Sequence, residues 1–539
     1  MEFSKNSNKP EEVQRFTTRS GIPVKALYSP SDLKDWDYDE KLGSPGEYPF
    51  TRGKYPPSQP TPWLVSQYFG FGTAKSTNEF LKYVIAQGAQ SLVVAFDLPT
   101  QCGYDSDHPM ACGEVGRIGV ALDSLQDLEA VFTDIPIEGK NISLGGNNAT
   151  GPIVLAWFLA LCEKRGVSPG EVRYFAQNDP LKEFISRGAY IFPPKQAVKF
   201  AVDVVEYCNR KQWDIHSPIM FCSYHIREGG AKVFEAIAYT IADAVAYWDE
   251  LESRGIKVRD LVVNPQIFLG ADTDFLEEIA AHRACRRMWA RIMKERYNCQ
   301  QPQMLGAFIR SYTMGSRMTA QQPLNNIIRC TIGNLAAVLG GAQSGTVSSY
   351  DEALGLPSPE ALRVAQRTAQ IVTEESGVTS TCDPLAGSYY IESLTDEIEK
   401  RAMEVFEKVD KMGGALEAIE SGYFQREITK TAYQDLKDVE SGRRIVVGVN
   451  KYQVEEEKPL RAMKISFAEE KRQIQKLGKL RRERDNNQVQ RSLAGVKEAA
   501  MEGVNLVEPL LVAVKAYATI GEICDTLGEL WGRYRKLGI

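Results

Sequence analysis

From about residue 75 the chain alternates short apolar runs with longer amphipathic ones, and this alternation limits the possible folds more than any other feature. STNEFLKYVIAQG reads as a helix stopped by a glycine, and SLVVAFDLP after it as a buried strand. The pattern recurs in NISLGGN with GPIVLAWFLALCEKRG, VRYFAQND with LKEFISRG, and SPIMFCSYH with AKVFEAIAYTIADAVAYWDELESRG. It continues in LVVNPQIFLG with TDFLEEIAAHRACRRMWARIMKERY, and in QMLGAFIRSY with PLNNIIRCTIGNLAAVLGG. Units spaced roughly 35–45 residues apart, in so long a series, predict an α/β chain closed into a (β/α)8 TIM barrel rather than an open sheet.

Three regions are expected. Residues 1–60, rich in Pro, Gly, Ser and charge, read as an extended N-terminal arm, and 61–395 as the substrate-binding barrel. Residues 396–539 read as a helical C-terminal region with a charged linker near 456. The basic run 471–484 is expected to be a solvated helix face. At 43% hydrophobic and 25% charged residues the chain has material for a large core. Its net charge of −6 argues against nucleic acid as a partner. No apolar run is long enough to span a bilayer, and MEFSKNSNKPEEVQ lacks the apolar centre of a signal peptide, so a cytoplasmic protein without a membrane partner is expected. The ten cysteines are scattered without a CxxC pair, as reduced thiols would be.

In a closed βα barrel, function sits on the loops that follow the strands. Those loops carry QCGYDSDHP, Gln177, Arg187 beside YIFPP, the stretch FCSYHIREGG, then Arg310, Tyr312 and Arg317, and finally Gln343 and Glu352. His225, one of only four histidines, stands at a strand end with no serine or cysteine nucleophile read beside it. It reads equally as a satisfied core histidine. Gly229 and Gly230 favour function, because small residues let a ligand approach the backbone. Arg187 reads either as an ordinary ion-pair arginine or as a carboxylate clamp. With no HExxH and no carboxylates at ligand spacing, no metal site is expected in this chain.

Longer words then carry a resemblance. YPFTRG, GFGTAKSTNEF, VAFDLPTQCGYDSDHP, GEVGRIGVALD, QNDPLKEF, YIFPP, SYHIREGGA, AVLGGAQS, DEALGLP, EESG and DPLAGSYY together resemble the large subunit of the adenosylcobalamin-dependent acyl-CoA mutases. That family includes methylmalonyl-CoA, isobutyryl-CoA and 2-hydroxyisobutyryl-CoA mutases. The resemblance covers roughly residues 45–450. It implies an isomerase with a barrel threaded by CoA, a radical 1,2-migration, and adenosylcobalamin as cofactor. It further implies that His225 polarises the thioester carbonyl with Tyr224 beside it, and that Gln177 lies near the thioester. Glu352 would hold the adenosyl ribose and Glu228 would lie near the corrin, with Phe96, Leu98 and Gln343 also on the cofactor side. Arg187 matches the arginine that binds a free carboxylate, and Tyr68 and Ala95 match the methylmalonyl type.

Other segments depart from the family. KYPPSQPTPW is one residue short where the family has a tyrosine against the reacting groups, with Gln59 near that place. Arg310-Ser311-Tyr312 stands for a His-Cys-Gln segment, and Asn264-Pro265-Gln266 for an Arg-Leu-Ser segment that touches CoA. The expected substrate is therefore a substituted malonyl-CoA/succinyl-CoA pair with a bulky or aromatic substituent of benzylmalonyl type. Tyr312 would offer an aromatic wall and Arg310 an added cation. Methylmalonyl-CoA itself, an isobutyryl-type substrate, a non-catalytic barrel subunit, and an unrelated barrel lyase or hydrolase are the alternatives. The family's cobalamin module carries a DxHxxG signature, which does not occur here: DIHSP at 214–218 lacks the glycine. A separate small cobalamin subunit that supplies the cobalt ligand is thus expected, in a heterotetramer.

Overall fold

The structure, a computed structural model, describes residues 16–58, 63–145, 149–213, 217–454 and 467–535. Eight parallel strands form one sheet: β1 (Leu64–Phe69), β2 (Ser91–Ala95), β3 (Asn141–Gly145), β4 (Arg173–Ala176), β5 (Met220–Cys222), β6 (Gln266–Ala271), β7 (Phe308–Thr313) and β8 (Ser344–Thr346). Their order is β4-β3-β2-β1-β8-β7-β6-β5. Ser217, just ahead of β5, bridges Phe175 of β4 in parallel. The Ala176 N–H donates to the Ser217 carbonyl at 2.8 Å and the Ser217 N–H to the Tyr174 carbonyl at 3.1 Å, which closes the ring. The barrel expected from the alternation is the barrel observed.

Two of its staves were not legible. β1 reads LVSQYF, with Ser66 and Gln67 interrupting the apolar run, and β8 is only SGT. These two strands pair with each other through Ser344 and Leu64. Inside a barrel, small and polar side chains are satisfied locally: the Ser66 hydroxyl donates to the Gly345 carbonyl at 3.0 Å and meets Thr346 Oγ1 at 2.7 Å. A hydropathy pattern does not register such strands.

Each strand is followed by a covering helix: α1 (Ala74–Ala86), α2 (Leu125–Val131), α3 (Gly151–Arg165), α4 (Pro194–Arg210), α5 (Val233–Ser253), α6 (Phe275–Tyr297), α7 (Asn325–Leu339) and α8 (Pro359–Glu374). α3 is buried from Gly151 to Cys162. It is apolar all round because a second layer covers its outer face. That layer comprises α9 (Tyr389–Lys411), α10 (Tyr423–Glu440), α11 (Phe467–Glu483), α12 (Asn486–Glu502), α13 (Val507–Lys515) and α14 (Ile520–Trp531). α13 packs on α3 and α9 on α5 and α6.

The arm is stitched to the barrel by buried arginines of α6. Arg286 donates to the carbonyls of Phe50 and Thr51 at 3.1 and 2.8 Å, and Arg287 to that of Lys41 at 3.0 Å. The basic run near the C-terminus is only partly solvated. Lys471, Arg472, Lys479 and Arg482 are exposed, but Lys476 pairs with Asp127 at 2.7 Å and Arg481 with both Asp105 and Asp107 at 2.6 Å. Gln473, Leu477 and Leu480 on the same helix are buried. The polar composition hid a docked face whose partners lie more than three hundred residues earlier.

Candidate active site

His225 does not end a strand. β5 stops at Cys222 and the chain turns at once into a short helix, Ser223–Glu228, which places the imidazole one turn beyond the barrel wall. Its Nδ1 lies 3.0 Å from Lys182 Nζ and 2.9 Å from Cys222 Sγ. Burial first, and then the charges of Lys182 and Arg187, hold its pKa well below the ordinary histidine value. The thiol beside His225, which sequence reading overlooked, is no nucleophile: burial pushes the Cys222 pKa up to about 11.

Lys182 and Glu183 open the turn that follows β4, and both side chains are fully buried as an ion pair of 2.8 Å. The chain then makes one turn of π-helix, Glu183–Arg187, a geometry that recurs at functional sites. It brings Arg187 Nη1 to 3.3 Å from Glu183 Oε1, while Glu183 Oε2 accepts the Ala189 N–H at 3.0 Å. Burial opposes the Glu183 charge, but Lys182 and Arg187 outweigh it and keep the carboxyl below its usual pKa. Arg187 keeps 22% of its side chain exposed, and Tyr68 on β1 faces it. Gln177, at the end of β4, is buried with its amide 3.8 Å from Cys222 Sγ.

The opposite wall is aromatic. Tyr224 and Tyr312 stack with centroids 5.1 Å apart, Phe268 lies 5.1 Å from Tyr224, and Tyr68 reaches Tyr312 at 6.4 Å. β1 and β7 are not neighbours, so the last contact spans the barrel interior. Phe268 and Met314, which completes this cluster, were missed in the sequence. Their apolar identity is that of any barrel strand, and only register shows that they face inward. Arg310, two residues before Tyr312, also faces inward. It is buried over the Phe175 ring at 5.6 Å, and burial alone brings its pKa down to about 10. Its partners in register are Phe268 and Ser344, one layer nearer the strand starts than Tyr312.

At the rim, Glu228 accepts the backbone N–H groups of Gly315 and Ser316 at 2.7 and 2.9 Å. Glu352 is met by Ser349, through its backbone N–H and, at 3.5 Å, its hydroxyl. Burial, and next the Glu228 carboxylate, raise its pKa to about 7. Two acceptor carboxylates with spare lone pairs fit the vicinal hydroxyls of a ribose.

Other expected residues stand elsewhere. Gln343 precedes β8, at the opposite end of the barrel from Glu352, and both ends of its amide are engaged: Oε1 accepts the Ile309 N–H at 2.6 Å and Nε2 donates to the Gly341 carbonyl at 2.8 Å. Phe96 is fully buried in the main core, Ala95 is buried at the end of β2, and Leu98 is half-buried. Arg317 is paired with Asp272 at 2.8 Å and Asp435 at 3.0 Å. Gln59 lies outside the described residues, as does His216 of DIHSP. Asn264, at the foot of β6, accepts from Lys54 at 2.9 Å. Gly230 makes room for a helix rather than a ligand: at φ +108° a Cβ would come within 2.5 Å of the Ala432 Cβ on α10. Among the described residues no group of three His, Cys, Asp or Glu side chains is placed to hold a metal ion. No helix among them is long and apolar enough to cross a membrane.

A closed βα barrel thus gathers a buried imidazole, a partly exposed guanidinium and an aromatic wall at its strand ends. The chain belongs to the methylmalonyl-CoA mutase family, whose model matches residues 17–533. Members of this family are isomerases that bind adenosylcobalamin, and this chain is an acyl-CoA mutase large subunit. It is 39% identical over 530 residues to the 2-hydroxyisobutanoyl-CoA mutase large subunit of Aquincola tertiaricarbonis, covering 98% of this chain and 94% of that one. It is 37% identical over 519 residues to methylmalonyl-CoA mutase of Escherichia coli, covering 96% and 72%. The human mitochondrial methylmalonyl-CoA mutase is 38% identical over 521 residues, covering 96% and 69%.

Proposed function

We propose that this large subunit interconverts a substituted malonyl-CoA and a succinyl-CoA type thioester. The observation that carries the reading is Arg187. Of the five N–H donors of a guanidinium, one meets a carboxylate among the described residues, at 3.3 Å, and the side chain remains partly exposed. A free substrate carboxylate would take the remaining fork as a bidentate pair. Tyr68, Tyr224, Phe268 and Tyr312 would pack a bulky, aromatic substituent of benzylmalonyl type, with edge and face contacts open to it.

The bound adenosylcobalamin supplies the radical chemistry. The chain itself binds, orients and shields. The neutral His225 donates a hydrogen bond to the thioester carbonyl, where negative charge grows as the group migrates. Gln177 lies beside it. Glu352 would hold the adenosyl ribose with Glu228 near the corrin, and the aromatic wall excludes water. The cobalt ligand is assigned to a separate small subunit, with which this chain would form a heterotetramer. Support comes from the near full-length match to a relative named as a large subunit. The ten unpaired cysteines suit a reducing cytoplasm. We take 61–395 as the substrate-binding domain, with 1–60 as its arm and 396–539 as its outer helical region.

The test is kcat/KM for methylmalonyl-, isobutyryl- and benzylmalonyl-type thioesters, with adenosylcobalamin and a small cobalamin-binding subunit added. A carboxylated, bulky thioester is expected to be turned over best, and the chain alone is expected to be inactive. A preference for methylmalonyl-CoA removes the aromatic-substituent reading, and one for isobutyryl-CoA removes the carboxylate reading.

A further inference from the structure

We propose that Lys182 is a positioning residue that locks His225 in the tautomer with its proton on Nε2, so that Nε2–H is the group presented to the substrate. Lys182 Nζ lies 3.0 Å from His225 Nδ1. An ammonium has three donors and no lone pair, so the nitrogen facing it must accept. The second neighbour of Nδ1, the Cys222 sulfur at 2.9 Å, remains a thiol and also offers a proton. The imidazole proton is thereby left on Nε2, which has no hydrogen-bond partner among the described residues.

The lysine is held in place. Its side chain is fully buried, and its second contact is the Glu183 carboxylate at 2.8 Å. The same carboxylate holds Arg187 at 3.3 Å, so one acid fixes both the proposed substrate clamp and the lysine that sets the tautomer. Two cations facing the ring also disfavour imidazolium. His225 therefore polarises a carbonyl as a neutral donor and keeps its proton. The catalytic consequence rests on the proposed role of His225; the tautomer itself rests on what Nδ1 meets.

The experiment is long-range proton–nitrogen NMR on protein labelled with nitrogen-15 in its four histidines, with His225→Gln to assign the ring. The wild type is expected to show the Nε2–H tautomer. Lys182→Met is expected to bring in the Nδ1–H form and to lower kcat about 10²-fold, the cost of a misoriented reacting group, with KM little changed. Lys182→Gln keeps an amide donor opposite Nδ1 and is expected to retain the tautomer and recover part of the rate. An Nδ1–H or doubly protonated ring in the wild type overturns the proposal, and the wild-type spectrum decides this even if a variant fails to fold. So does a Lys182→Met protein with an unchanged spectrum. An Nε2–H ring in an enzyme whose turnover ignores His225→Ala would leave the tautomer standing and remove only the catalytic reading.

Discussion

At the residue scale, the site depends on charges held without water. His225 stays neutral because burial and two cations oppose a third positive charge beside them. Replacing it with alanine should lower kcat on the order of 10²–10³-fold, the usual cost of losing a donor to a developing oxyanion. KM should change little, and an effect confined to KM would mean that the histidine binds only the ground state. Arg187→Gln should cost on the order of 2–5 kcal/mol in kcat/KM for carboxylated thioesters and almost nothing for uncharged ones. Equal losses on both classes would assign Arg187 to the structure of the loop. Of these residues, His225, Arg187 and Glu352 were legible in the sequence as rare or charged groups at loop positions. Lys182, buried and paired with Glu183 and His225, carried no such mark.

At the element scale, the outer helices hold the loops that shape the site. Asp105, in the loop after β2, accepts Arg481 from α11 at 2.6 Å, the Thr519 hydroxyl at 2.6 Å and the Gly521 N–H at the start of α14 at 2.8 Å. Next to it Gly103, at φ +64°, lets Cys524 approach to where a Cβ would stand 2.5 Å away. On the β4 loop, Phe192 packs on Trp531 with centroids 5.0 Å apart, and the Tyr534 N–H donates to the Ile191 carbonyl at 2.8 Å. Arg481→Ala should therefore destabilise the protein by about 1–3 kcal/mol, because it strips a buried carboxylate of its charged partner. Hydrogen exchange should quicken across 467–535 and in the loop around Asp105. A shift in the denaturation midpoint without that local change would place the helices' contribution elsewhere.

At the scale of the whole molecule, burial of carboxyl groups sets the response to pH. Asp105, Asp179 and Asp203 are raised to about 6, and Asp97, Glu277 and Glu352 to about 7, each chiefly by desolvation. A carboxyl raised in the folded state binds more protons there than when unfolded, so stability falls as pH rises through this range. His282, lowered to about 4, and His225 act in the opposite sense below the ordinary histidine pKa. Asp123 and Asp243, raised further still, add to the carboxyls, while Lys54, lowered by burial to about 7, opposes them above that pH. The raised carboxyls outnumber the lowered bases and predict a higher thermal midpoint near pH 5.5 than near pH 7.5. A midpoint that rises from pH 5.5 to pH 7.5 would show that the buried acids stay ionised.

The sequence alone determined the barrel and which polar residues its strand-end loops carry. Alternating apolar strands and amphipathic helices have few ways to bury their faces, and loops at strand ends are where polar groups survive. It did not mark β1 and β8, whose polar and small residues are satisfied only inside a closed ring. It read Gly230 as room for a ligand where α10 packs, and Gln343 as a rim residue where the barrel's far end holds it. Partners were decided by tertiary structure: Arg310 is buried over the Phe175 ring, Arg317 pairs with Asp272 and Asp435, and a buried lysine meets a histidine 43 residues away. Those outcomes depend on which groups meet once water is excluded, and local sequence does not record such meetings.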